Sequence, residues 1–198
     1  MKKHTEISFT NAVKKVQEEH ESREMYAIYE SRIPAPSIIG PREQGLIERI
    51  DGFYMATVNA DGWPYVQFRG GPKGFLKVID DKTIGFADFK GNLQYISTGN
   101  LNETKKASLI LLHYPTRTRL KIWAEAEIVS PKDNPELAKL LHSEDYGAVV
   151  ERLLIFHVQS FDWNCPQHIP QRFTVEEFKE ILPDHPEIIE DCCPDLIK

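Results

Sequence analysis

Residues 86 to 101, FADFKGNLQYISTGNL, gather groups that can hold an anion. The strand-like run TIGFAD breaks at Lys90-Gly91-Asn92, and apolar residues then resume at helical spacing. Where a strand gives way at once to a helix, the first helical turn presents unpaired N–H groups and the positive end of a dipole. Lys90 adds a full charge, Gly91 lets a ligand approach the backbone and Asn92 supplies an amide, so a phosphate suits this junction. An ordinary capped helix start with Gly91 in a turn accounts for the same residues. Upstream, WPYVQFRGGPKG ends in Gln67, Arg69, Gly70 and Gly71, where a planar ligand can lie along the backbone with its polar edge read by peptide groups. The paired glycines fit a bulge equally well. Arg119 opens a further strand, so cations, amides and glycines converge from separate segments.

The elements that must position them follow from periodicity and turn chemistry. The first 50 residues read as helical: Thr10 caps a helix carrying Val13, Val16, Ala27 and Ile28 close to one face. Pro34, Pro36 and Pro41 interrupt it, and Pro41 then suits the first position of a short helix with Leu46, Ile47 and Ile50. From Gly52 the period becomes that of strands. FYMATVN and WPYVQFRG flank the Asp61-Gly62 reversal, FLKVID and TIGFAD flank Asp81-Lys82, and ASLILLHY and RLKIWAEAEIV flank residues 115–118. VVERLLIFHVQSFDWN supplies a late long strand, giving six or seven strands in all. NLQYISTGNL and NPELAKLLHS read as bridging helices, and Thr174 with Glu177 forms a capping box for a C-terminal one. Antiparallel strands in that number must close or protect their edges, and a small barrel does so. The expected architecture is mainly β with flanking helices: an N-terminal helical extension (1–50), a split antiparallel barrel of Greek-key type (51–172), and a C-terminal helix and tail (173–198).

Composition removes several classes of function. A formal charge of −6 without any basic block argues against a nucleic-acid or anionic-membrane partner. No run approaches the ~20 apolar residues of a membrane span, and MKKHTEISFT lacks a signal peptide's apolar region, so a cytoplasmic location is expected. Cys165, Cys192 and Cys193 make no C-x-x-C pair, which suits a reducing compartment. Cys165, His157 and His168 lack the spacing of a zinc site, so no metal is expected. Cys192-Cys193 is open to redox chemistry but equally suits a mobile tail. Glu125, Glu127 and Asp162 are isolated carboxylates, and no G-x-S-x-G or H-E-x-x-H element supports hydrolysis.

The ordered series GWPYVQFRGG, FADFKGNLQYISTGNL, ASLILLHYPTRTRLKIWAEAEIV and DWNCPQHIPQR resembles the pyridoxamine 5'-phosphate oxidase-related, FMN-binding split-barrel family over residues 45 to 172. The resemblance implies a homodimer with FMN at the subunit interface. It implies that Gln67, Phe68, Arg69 and Gly70 line the flavin from one strand and Phe86, Ala87 and Asp88 face it from the next. Lys90, Gly91 and Asn92 would hold the phosphate, with Asn100 shaping the helix behind. Arg119 matches a position that contacts the cofactor, and Trp163, His168 and Arg172 would reach in from the partner subunit. The chain departs from the true oxidase in having Asn92-Leu93 where an Arg-Lys pair stands, and in lacking an Arg-rich tail. The expected activity is therefore FMN-dependent oxidoreduction of an unspecified small molecule rather than pyridoxamine phosphate oxidation. A flavin-binding module without turnover, or a split barrel using haem or a deazaflavin, is the alternative.

Overall fold

The computed structural model describes residues 1–143 and 146–181. Four helices come first: α1 (His4–Ser8), α2 (Asn11–Glu19), α3 (Arg23–Arg32) and α4 (Pro41–Ile47). The strands β1 (Gly52–Val58), β2 (Pro64–Gly70), β3 (Lys77–Asp80) and β4 (Thr83–Phe89) follow. Then come α5 (Ile96–Thr104), β5 (Lys106–His113), β6 (Thr118–Val129), α6 (Pro135–Leu141), β7 (Val150–Asn164) and α7 (Val175–Ile181).

The hairpins expected from the turn residues form. Gly62, at φ 87°, closes the β1–β2 reversal, with Asn59 accepting from the Gly62 and Trp63 amides. Thr10 caps α2 by accepting from the Val13 amide at 3.3 Å, and Thr174 and Glu177 cap α7 reciprocally. The single N-terminal helix expected through Val13 and Ile28 is instead a pair: α2 stops at His20, and Glu21 turns the chain at φ 55° before α3 begins. Arg23 ties the pair, donating to Gln17 and Glu30 at 2.6 Å each.

Seven strands make one sheet in the order β2-β1-β5-β6-β7-β4-β3, with every neighbouring pair antiparallel. The backbone ladder does not close, which leaves β2 and β3 as edges. Yet Arg69 on β2 lies 2.7 Å from Asp88 on β4, although four strands separate them in the ladder. The sheet therefore coils round on itself, and side chains rather than peptide groups span the split. Inside the coil Phe53, Phe75, Phe86 and Phe156 form an aromatic stack with centroids 5.6–6.1 Å apart. Each such burial is worth roughly 1.5–3 kcal/mol. Leu109, Leu111, Leu120, Ile122 and Leu154 fill the interior around it, and α4 adds Leu46 and Ile47. A second cluster packs Leu141 of α6 on Ala87, Leu153 and Ile155. Among the described residues no helix is long and apolar enough to cross a membrane.

Candidate functional site

A cavity of about 200 Å³ lies at the split, between β2, the end of β4, the 90–95 loop, the start of α5 and Arg152 of β7. Strand alternation decides which β2 side chains reach it. Tyr65, Gln67 and Arg69 point inward and line the cavity, whereas Val66 and Phe68 point outward and are 59% and 57% exposed. Phe68 therefore does not share a face with Gln67 and Arg69. Its ring lies across Gly52, where an added Cβ would come within 2.2 Å of it. Gly70 sits beside that ring, outside the cavity.

On β4 the phase places Phe86 in the aromatic core and Ala87 in the second cluster, so neither side chain lines the cavity. Asp88 does, at the inner end of the strand, and it is the hub of the seam. Its Oδ1 accepts from Arg69 Nη1 at 2.7 Å, and its Oδ2 lies 3.2 Å from Arg152 Nε. Burial pushes the Asp88 carboxyl above its ordinary range, and the Arg69 and Arg152 guanidiniums pull it back only in part. Arg152 also donates to Thr98 Oγ1 at 2.9 Å, pairs with Glu151, and lies 4.8 Å over the Tyr95 ring. Tyr95 OH donates to Glu151 at 2.6 Å and, with Arg152, holds that carboxyl below the usual range. Ser97 Oγ donates to Gln67 Oε1 at 3.0 Å, which ties α5 to β2. Arg69 Nε and Arg152 Nε are both buried, and neither makes a hydrogen bond among the described residues.

The junction differs from the expected one in a specific way. α5 begins at Ile96 rather than at Asn92. Asn92 Oδ1 accepts from the Gln94 amide at 3.2 Å, a local side-chain turn that competes with helix, and Leu93 and Tyr95 adopt left-handed backbone at φ 64° and 52°. The helix's free amides consequently start near Ser97 and Thr98. Gly91 and Asn92 line the cavity, but Lys90 is exposed and lies outside it, bonded through its amide to Val149. Asn100 is buried and donates to Thr57 at 3.0 Å, anchoring α5 on β1.

Gln67, Arg69, Asp88, Gly91 and Asn92 are thus brought together, and the remaining expected residues lie elsewhere in the chain. Arg119 is on the outer face of β6 opposite Asn164; its Nε and the Asn164 Oδ1 are both buried without a partner among the described residues. Trp163 is held by its own chain: its indole N–H donates to Glu43 at 2.6 Å, and Arg42 lies 4.1 Å over its ring. His168 is exposed at φ 64°. Arg172 lies 5.1 Å over Tyr114, in a separate cleft of about 160 Å³ shared with Arg49, Lys73, His113 and α7. Burial lowers the pKa of His113 in that cleft. Cys165 is exposed, and Cys192 and Cys193 lie outside the described residues. No group of three or more His, Cys, Asp or Glu among the described residues is placed to hold a metal.

Arg152 and its partners Tyr95 and Glu151 were not anticipated from the sequence. A signal was present: in VVERLLIF, Arg152 falls in phase with the inward Leu154 and Phe156, a charged side chain at a core position.

A family model described as pyridoxamine 5'-phosphate oxidase matches residues 39–165. The chain belongs to the pyridoxamine 5'-phosphate oxidase family. Solved structures agree with an oxidase-family fold. HupZ of Group A Streptococcus, 20% identical, superposes with a TM-score of 0.52 over 69% of this chain and 100% of its own. An FMN-binding protein from Syntrophomonas wolfei, 18% identical, gives 0.50 over 74% of this chain and 96% of its own. At these identities the likeness is one of fold. No curated protein matches the sequence.

Proposed function

We propose that this protein binds FMN in the seam of its split barrel and uses it for oxidoreduction of a small molecule. The observation that carries the reading is Arg69: a largely buried guanidinium whose Nε has no acceptor among the described residues, in a polar cavity beside the first turn of α5. A dianionic phosphate supplies the missing acceptor, and the helix start favours negative charge there. Membership of the oxidase family and a structural relative named as FMN-binding support the same ligand. Lys90 lies outside the cavity, so Arg69 takes the part of the phosphate cation in this reading.

When bound, the flavin supplies the electron chemistry. The chain's own residues bind, orient and exclude water: Arg69, the α5 amides and Asn92 at the phosphate, and Gln67 along the chain that leads from it. No side chain need act as nucleophile.

One chain offers too little enclosure for the whole cofactor. About 200 Å³ falls below the roughly 300–1,000 Å³ of ordinary ligand pockets. The remaining wall is assigned to a second copy, meeting this one through the apolar outer face formed by Tyr54, Val66, Phe68 and Ile110, which are 36–59% exposed. Arg119 and Arg172 belong to the surfaces that this homodimer would bring towards the flavin. A reducing, cytoplasmic location completes the reading.

The test is a visible spectrum of the purified protein, followed by titration with FMN and attempted reduction by NADH and NADPH. Flavin absorbance that bleaches on reduction is expected. Bound FMN that no donor reduces would leave a binding module. A Soret band or selective retention of a deazaflavin would replace FMN, and colourless protein that takes up none of them ends the proposal.

A further inference from the structure

Building on the FMN reading, we infer that Arg152 is a positioning residue for phosphate recognition, holding one oxygen of Asp88 so that Arg69 keeps part of its fork free for the ligand. Arginine and a carboxylate pair most favourably through two parallel N–H···O bonds. Left alone with Asp88, Arg69 would take both carboxylate oxygens and commit a second N–H donor to that contact. In this structure it holds only Oδ1, at 2.7 Å, because Arg152 Nε sits 3.2 Å from Oδ2.

Arg152 is itself spent on the protein. Its Nη1 donates to Thr98 at 2.9 Å, its Nη2 pairs with Glu151, and its plane lies over Tyr95. One side chain of β7 thereby bridges the end of β4 and the first turn of α5, two walls of the cavity; both of its Nη atoms are engaged, and its buried Nε faces Asp88 Oδ2 at ion-pair distance without making a hydrogen bond. Arg69 also has a buried Nε with no acceptor among the described residues, but its one side-chain hydrogen bond there is Nη1 to Asp88, whereas Arg152 has both Nη atoms engaged. The division of labour is one arginine that braces and one that binds.

Phosphate recognition is read by the ratio of riboflavin to FMN dissociation constants, measured by quenching of flavin fluorescence. Wild type should prefer FMN. Arg152→Met should reduce that preference by about tenfold to a hundredfold, the worth of one charge-assisted hydrogen bond, with riboflavin affinity changed less than about threefold. Arg152→Lys keeps a cation at Oδ2 and should retain most of the preference. Adding Asp88→Asn to Arg152→Met removes the carboxylate that captures Arg69 and should restore part of it.

A merely structural Arg152 would weaken both flavins together; that result, or an unchanged ratio in Arg152→Met, overturns the inference. Should wild type bind neither flavin, the flavin reading fails, and inorganic phosphate decides the brace separately. Thermal stabilisation by phosphate in wild type that vanishes in Arg152→Met supports it, whereas the same response in both, or none in either, overturns it.

Discussion

Replacing Asp88 by alanine strips two guanidiniums of their shared counter-charge at the one place where the barrel lacks backbone pairing. Arg69 and Arg152 have side chains only 15% and 13% exposed, so water cannot fully take the carboxylate's place. Breaking a buried ion pair on one side costs about 3–5 kcal/mol, and the residual exposure points to the lower end of that range. At roughly 2–4 °C per kcal/mol for a chain of this size, Asp88→Ala should lower Tm by about 6–12 °C. The triple change Arg69→Met, Asp88→Leu, Arg152→Met removes all the charges at once. Because apolar replacement of a whole buried ionic group is commonly neutral or stabilising by about 1–4 kcal/mol, the triple variant should melt well above Asp88→Ala while losing its preference for FMN over riboflavin. Urea unfolding followed by circular dichroism, with a thermal melt, measures both variants. A loss below about 1 kcal/mol in Asp88→Ala, in the range of ordinary surface changes, would refute the view that Asp88 closes the split. A triple variant no more stable than Asp88→Ala would refute the view that apolar side chains can replace the whole ionic group at the split.

Three further outcomes are expected. Gly85→Ala should destabilise by about 1–3 kcal/mol in the same unfolding assay, since its Cβ would meet Ile155 and Ile79 at 2.9 Å and the Leu154 carbonyl at 3.0 Å. Phe68→Glu should convert a dimer to a monomer by light scattering and weaken FMN binding, because the ring is on the outer face. The Thr174 amide and then Lys73 hold Glu177 below its ordinary 4.5; the stability this gives α7 is full above that value and is lost as pH falls through the lowered one. Protection factors of the α7 amides, with the intrinsic pH dependence of exchange removed, should therefore fall on acidification below 4.5 and stay unchanged between neutrality and pH 5.

The hairpins, the caps at Thr10 and Thr174 and the late long strand were legible because each depends on residues close together in the sequence. The Asp61-Gly62 turn and the alternation of β2 need no knowledge of the rest of the chain. Non-local pairing was not legible. Nothing in the residues around Asp88 announces that Arg69 crosses the split to meet it, or that Arg152, some 60 residues later, shares it. The same holds at the helix start: Asn92 suits a cap by type, but its side-chain turn to Gln94 delays α5 to Ile96 and leaves Lys90 outside the cavity. Alternation, applied strictly to YVQFRG, would have separated Phe68 from Gln67 and Arg69 without a structure. Trp163, expected to reach a partner's flavin, is engaged by Arg42 and Glu43, a contact across 120 residues that no local pattern encodes.

In the proposed reading the seam between β2 and β4 receives a flavin phosphate. A crystal structure of the protein with FMN is the decisive experiment. Phosphate oxygens within hydrogen-bonding distance of the Arg69 guanidinium and the first amides of α5 are the predicted result. FMN bound with its phosphate on Lys90, in the Arg172 cleft, or anywhere that leaves Arg69 Nε without an acceptor would contradict it.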